Sequence, residues 1–217
     1  MMGIRGLVAR RLLARPNTRS VTHQLRRRRF ERFLREVGVK PEDRILDVGG
    51  YPYFWHGSGL ERNVTILNVQ LPPTRERPFT WILGDACRMR MFPDKAFDVV
   101  FSNSVIEHVG DVERQAAMAG EVRRVARRYW VQTPYKHFPI EAHFVFPCFQ
   151  YLPGPFREVV ARAWPFSYAK MLGLDPIQEA RHIWLLDRRR MRALFPDADL
   201  LVERFAGLTK SLIAVQR

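Results

Sequence analysis

Arg44-Ile-Leu-Asp-Val-Gly-Gly-Tyr51 sets one carboxylate among three apolar residues, Ile45, Leu46 and Val48, and closes the run with two glycines. A short apolar run bounded by a Gly turn reads as a buried parallel strand. In open α/β sheets ligands bind at the carboxyl ends of strands. Glycine has no Cβ, so its backbone can approach a ligand closely. Asp47 beside Gly49 and Gly50 therefore marks a candidate nucleoside site. A core strand with an ordinary Gly turn reads the same octet equally well, so its surroundings must decide.

Downstream of the octet, Asn63–Val69 is a second β-branched run. Phe79–Leu83 is a third, ending in Gly84-Asp85-Ala86. Ala96–Phe101 is a fourth, ending in Ser102-Asn103-Ser104. The spacing of Val112, Ala116, Ala119, Val122 and Val125 predicts a helix over 111–126, with Asp111 as N-cap and Arg123 and Arg124 suiting its C-terminal dipole. Tyr129–Thr133 is a fifth strand. Alternation of strand and helix implies right-handed crossovers and a doubly wound parallel sheet. Residues 134–180 are rich in proline and aromatics, among them Tyr135, Phe144, Phe149 and Trp164. They are too apolar for a disordered linker and read as a cap inserted over the sheet edge. A short helix over 187–195, capped by Asp187, precedes two strands, 199–205 and 209–215. Their Gly207 turn makes them an antiparallel hairpin.

Upstream, the chain is basic. Its net charge is +14, and residues 1–40 carry twelve Lys/Arg against two acids. The charge belongs to an N-terminal arm rather than to the whole body, which argues against a domain-wide nucleic-acid binder. Met1–Ala14 reads as a short basic amphipathic helix, suited to anionic lipid or left solvated as a leader. Arginines interrupt its apolar stretch, so it does not read as a signal peptide. A second helix is expected from Ser20 to Val37, with Val21, Leu25, Phe33, Leu34 and Val37 facing a core, Arg26–Arg29 mostly in solvent and Gly38 as the stop. The domain plan is thus a basic helical arm, 1–39, and a folded body, 40–217, with 134–180 as its cap. Cys87 and Cys148 match no metal spacing and read as reduced thiols of a cytoplasmic protein, with the arm available for peripheral membrane contact.

Five strand-helix units closed by a hairpin resemble the class I S-adenosylmethionine (SAM)-dependent methyltransferases of small-molecule, lipid and glycan type. Four segments carry the resemblance, which spans about residues 40–217. Arg44–Tyr51 resembles the family's first motif, and Asn68 stands where its second strand usually has a ribose-binding acid. Gly84-Asp85-Ala86 resembles the segment that meets adenine. Phe97–Val109, with Glu107-His108, resembles the fourth-strand segment. The expected fold is α/β: a doubly wound, Rossmann-like, seven-stranded and mostly parallel sheet, closed by a C-terminal antiparallel β-hairpin, with an aromatic-rich insertion. The chain departs from the pattern in two places. Tyr51 and Tyr53 stand where further glycines are usual, and Asn68 replaces an acid.

The resemblance implies SAM as cofactor. It puts Asp47, Gly49 and Gly50 at the methionine end, Asn68 and Val69 at the ribose, Asp85 and Ala86 at adenine, and Ser102 and Asn103 beside the methionine; the departing Tyr51 is expected to set its ring against the cofactor by cation–π contact with the sulfonium. A hydroxyl nucleophile needs help losing its proton, and His is the usual general base. His108 and His143 are the candidate catalytic residues. His137 and His143 flank Glu141, an arrangement for an oriented base or, with too few clear ligands, a metal; no metal site is assigned. O-methylation of a lipid, glycan or secondary-metabolite acceptor ranks first. An RNA methyltransferase or RNA-binding relative, and a catalytically inactive scaffold of the same fold, are the alternatives.

Overall fold

The computed structural model describes residues 21–217 apart from Leu172. The amphipathic helix expected over Met1–Ala14 lies outside the described residues. Helix α1 (Val21–Val37) leads into the strands β1 (Ile45–Val48), β2 (Val64–Asn68), β3 (Thr80–Leu83) and β4 (Phe97–Asn103). Helix α2 (Val112–Val125) and β5 (Ala126–Pro134) follow. The insertion holds the short strands β6 (Ile140–Glu141) and β7 (Phe146–Pro147) and the helices α3 (Gly154–Ala163), α4 (Tyr168–Met171) and α5 (Pro176–His182). The chain ends with α6 (Arg188–Leu194), β8 (Asp199–Phe205) and β9 (Leu208–Gln216).

One seven-stranded sheet runs β3-β2-β1-β4-β5-β9-β8. Strands β1 to β5 are parallel, β9 is antiparallel to β5, and β8 is antiparallel to β9. The expected architecture is therefore present, closed by its C-terminal hairpin. Strand order reverses beside β1, which runs between β2 and β4. The crevice above that point is where ligands bind in such sheets.

The crossovers differ from expectation. Among the parallel strands β1 to β5, only the consecutive pair β4 and β5 is joined by an α-helix. The β1–β2 connection holds two single 3₁₀ turns, Pro52–Phe54 and Glu61–Asn63, and no α-helix forms between β2 and β3 or between β3 and β4. Local composition accounts for this. Pro52, Gly57 and Gly59 occupy the first connection and Pro72, Pro73 and Pro78 the second, and Pro and Gly are the residues that most oppose a helix interior.

Each face of the sheet has its own core. On one side α1 places Phe30, Phe33 and Val37 against Ile45, Trp55, Phe101, Trp130 and Ile213. The Phe33 ring lies 4.6 Å from that of Phe101 and 6.0 Å from that of Trp130. Burying such a ring is worth about 1.5–3 kcal/mol, so the helical spacing itself docks α1 on the sheet. On the other side Met118, Ala119, Val122 and Val125 of α2 and Met191 and Leu194 of α6 cover Leu46, Val48, Val100 and Val131. The insertion keeps a small core of its own, where the Phe144 and Phe149 rings stack 4.0 Å apart.

Asp111 caps α2 as expected, its Oδ1 accepting the Arg114 N–H at 3.0 Å. Asp111→Ala is expected to cost about 1 kcal/mol and to lower the thermal midpoint by roughly 2–4 °C. An unchanged melting curve would show that the cap contributes nothing.

Candidate active site

A cavity of about 600 Å³ opens at the carboxyl ends of β1, β4 and β5. Its floor is the turn after β1. Gly49 takes a left-handed φ of +71°, and its N–H bonds to the Leu67 carbonyl at 2.7 Å. A Cβ on Gly50 would lie 1.8–2.2 Å from the Asp47 carboxyl atoms, so that carboxyl fills the room a side chain would need. Asp47 is fully buried. Its Oδ2 accepts the Trp55 indole N–H at 2.7 Å, while Oδ1 has no partner among the described residues. Burial pushes this carboxyl up to about 7, against the opposing effect of the Trp55 bond.

The far wall comes from the segment after β4 and from the insertion. Glu107 is fully buried, with Oε2 accepting the Thr133 hydroxyl at 2.9 Å and Oε1 unpaired among the described residues. His108 Nε2 lies 3.1 Å from His143 Nε2, and each of these nitrogens lies 4.0 Å from Glu107 Oε1. Behind them, Glu141 Oε1 sits 2.6 Å from His143 Nδ1, and its Oε2 accepts the backbone N–H groups of His143 and Phe144 at 2.8 Å each. Burial, with the neighbouring His143 charge, pushes His108 down to about 3. Burial also opposes charge on His143, but the Glu141 and Glu107 carboxylates outweigh it and hold the ring above the ordinary histidine value. Desolvation holds Glu107 above the usual carboxylate range.

The third side is positive. Arg29 of α1 grips Glu203 of β8 with two 2.6 Å bonds and gives Nη1 to Asn103 Oδ1 at 2.8 Å and Gln132 Oε1 at 3.0 Å. Arg26 stands over the Tyr53 ring at 5.9 Å. Lys210 also lines this side, and desolvation, aided by Arg29, lowers its ammonium below the ordinary lysine value.

Seven of the twelve residues given catalytic or cofactor roles from sequence line this cavity together: Asp47, Gly49, Gly50, Tyr51, Asn103, His108 and His143. The others do not line it. Asn68 ends β2 next to the Gly49 turn, and its carbonyl accepts the Gly84 N–H at 3.0 Å. Val69 beyond it is exposed, while Ala86 and Ser102 are buried. Asp85 has both oxygens engaged, Oδ1 by the Cys87 N–H at 2.9 Å and Oδ2 by Arg114 at 2.8 Å. That is the turn-forming arrangement expected of an acid after a strand. The bonds from Cys87 and Arg114 outweigh desolvation and hold its carboxyl below the usual range.

His137 does not join Glu141. It meets the Tyr151 hydroxyl at 2.5 Å instead. Sequence reasoning put Arg29 in solvent and gave no site role to Glu107, Gln132 or Trp55. The Glu107-His108 pair was visible as a motif, but nothing in the local sequence signals which residues Arg29 reaches across the fold.

Residues 59–129 match the sequence model of a family described as a methyltransferase domain. That match spans about a third of the chain, and the sheet order is that of the class I methyltransferase fold. No curated protein matches the sequence. Solved structures match across the whole domain. A protein from Pyrococcus horikoshii OT3 is 18% identical, with a TM-score of 0.55 and 92% of each chain covered. A SAM-dependent methyltransferase from Archaeoglobus fulgidus is 15% identical, with a TM-score of 0.56 over 89% of this chain and 94% of its own. Phosphoethanolamine N-methyltransferase 2 of Haemonchus contortus, in complex with SAM, is 16% identical, with a TM-score of 0.51 over 90% of this chain and 45% of its own. At these identities the likeness is one of fold. No helix among the described residues is long and apolar enough to cross a membrane.

The cofactor of this class of methyltransferase domain is SAM, and the residues present fit it. The unpaired, buried Oδ1 of Asp47 lacks a donor such as an amino group supplies. Asp47, Gly49 and Gly50 line the cavity together, and the ends of β2 and β3 lie beside them in the sheet.

Proposed function

We propose that this methyltransferase domain transfers a methyl group from SAM to a hydroxyl on an amphipathic lipid, glycan or secondary-metabolite acceptor that carries an acidic group. The observation that carries the reading is the single cavity joining the Asp47 turn to His108, His143 and Glu141, with Glu107 buried behind them. The two ends are chemically distinct. Asp47, Gly49 and Gly50 would hold the methionine portion of the cofactor, with Asn68 toward the ribose. His108 and His143 stand at the acceptor end and would handle the hydroxyl proton. Asn103 and Gln132, fixed by Arg29, stiffen the wall between them.

SAM supplies an already activated methyl group, so the protein's contribution is alignment, exclusion of water and management of one proton. The aromatic walls, with Tyr51, Tyr53, Phe54 and Phe138, suit an apolar body on the acceptor. Arg26 and Lys210 at the rim suit a phosphate or carboxylate on it.

Two experiments test the reading. Calorimetric titration with S-adenosylhomocysteine should show one saturable site, and a folded protein that fails to bind it at millimolar concentration would overturn the assignment. Methyl-labelled SAM offered with acidic amphipathic alcohols, phenols and amines should label the oxygen acceptors. Labelling of amines alone would overturn the choice of a hydroxyl.

A further inference from the structure

Three ligating atoms from two segments, the stretch after β4 and the insertion, converge at and just behind the acceptor end of the cavity. They are Oε1 of Glu107 and Nε2 of both His108 and His143, mutually within 4.8 Å. The triangle they form has sides of 3.1, 4.0 and 4.0 Å. A point inside it lies about 2.2 Å from all three corners, at the upper end of the 2.0–2.2 Å bonds zinc makes to imidazole and carboxylate.

The partner inventory points the same way. Glu107 Oε1 is fully buried and unpaired among the described residues, although Oε2 is satisfied by Thr133. The two imidazole nitrogens face each other at 3.1 Å, and if both carry lone pairs they need a cation or a proton between them. His143 is oriented from behind by Glu141, which is nearly fully buried and anchored on two backbone N–H groups. A carboxylate on the far nitrogen is the usual support of a metal-ligating histidine: it fixes the tautomer and leaves Nε2 free to bind.

We propose that Glu107, His108 and His143 hold a divalent transition-metal cation, with Glu141 as the orienting residue behind His143. Two imidazoles and one carboxylate suit zinc, manganese, iron or cobalt rather than magnesium or calcium, which favour all-oxygen shells. Three protein ligands leave positions open toward the cavity, the pattern of a catalytic rather than a structural site. An acceptor hydroxyl taking one of those positions would lose its proton to solvent more readily, because the cation stabilises the oxyanion; with the cation bound, His108 and His143 handle that proton through it rather than as direct bases. That last role rests on the methyltransferase reading of the cavity; the cation site itself stands on the geometry.

The test uses untagged, full-length protein treated with a chelator and then titrated calorimetrically with Zn²⁺, Co²⁺ and Mg²⁺, with Co²⁺ also followed by its visible absorption. One Zn²⁺ or Co²⁺ should bind per chain, with Mg²⁺ far weaker. His143→Ala and Glu107→Gln should each weaken Zn²⁺ at least 10-fold, Glu141→Gln about 10–100-fold, and the remote His182→Ala not at all. Glu107→Gln retains an oxygen for Thr133, and thermal unfolding confirms that each variant folds. Absence of saturable Zn²⁺ and Co²⁺ binding, or affinity unmoved by His143→Ala and Glu107→Gln in folded protein, overturns the site. S-adenosylhomocysteine binding on the same samples separates the two readings. Nucleoside binding without metal removes the cation site alone, whereas metal binding without nucleoside removes the methyltransferase reading and leaves the cation site in place.

Discussion

Asp47→Asn is expected to stabilise the ligand-free protein at pH 8 while weakening its affinity for SAM, two effects of opposite sign from one atom change. The Asp47 carboxyl rises from an ordinary 3.8 to about 7 because burial disfavours its charge. Between those values the folded chain holds a proton that the unfolded chain has released, so this group makes stability fall as pH rises from about 4 to about 7. Above pH 7 the full cost applies, on the order of 4 kcal/mol. Asn carries no charge and escapes that cost, so its thermal midpoint should exceed that of the native protein by several degrees at pH 8 and match it near pH 4. Binding runs the other way. A cationic amino group beside Oδ1 favours the ionised carboxylate, so native affinity should increase from pH 6 to pH 8 with release of a proton. The Asn variant should lose that pH dependence. At pH 8 it should bind about 10–100-fold more weakly, the value of a charged hydrogen bond. Titrations in two buffers of different ionisation enthalpy read the proton directly. Equal affinities for both proteins at pH 8 would remove Asp47 from the cofactor site.

Arg29→Ala is expected to produce the largest loss of stability among surface-proximal residues. Its guanidinium and the Glu203 carboxylate retain only 11% and 19% of their side-chain exposure. Removing the cation leaves Glu203 largely buried without its hydrogen-bonded partner, and deprives Asn103 and Gln132 of a shared donor. Breaking a pair at such a site costs about 3 kcal/mol, which at 217 residues corresponds to a drop of roughly 6–12 °C in the thermal midpoint. Replacing both partners, Arg29→Met with Glu203→Leu, should recover most of the loss, because neither charge is then stranded. A loss below 1 kcal/mol for Arg29→Ala would show that Phe30, Phe33 and Val37 alone hold α1 in place.

Sheet and hairpin were legible because each strand carries its signal locally. Apolar runs such as Ile45–Val48 and Val64–Asn68 end at Gly, Asn or Asp, and Gly207 punctuates β8 and β9. The helical crossovers were less so. The alternation of strands was real, but Pro72, Pro73 and Pro78 already forbade a helix between β2 and β3, and the local rule outweighed the regular pattern. At the site, Asp47 and His108 could be picked out because Asp47 lies at the carboxyl end of β1 and His108 in the segment that follows β4. His143 could be picked out only as one of a His/Glu/His group, and that group divides in the fold, with His143 bound to Glu141 and His137 turned to Tyr151.

The sequence by itself determined the order of the strands, the glycine turn that follows β1, and the basic character of the chain before residue 40. Periodicity, turn chemistry and composition are properties of neighbours along the chain. Only the tertiary structure decided that Trp55 would hold Asp47, that Arg29 would leave solvent for Glu203, and that Glu107, His108 and His143 would face one another. Those contacts join residues as far as 174 positions apart. Their energies depend on burial that several elements create together, and no stretch of sequence contains that burial.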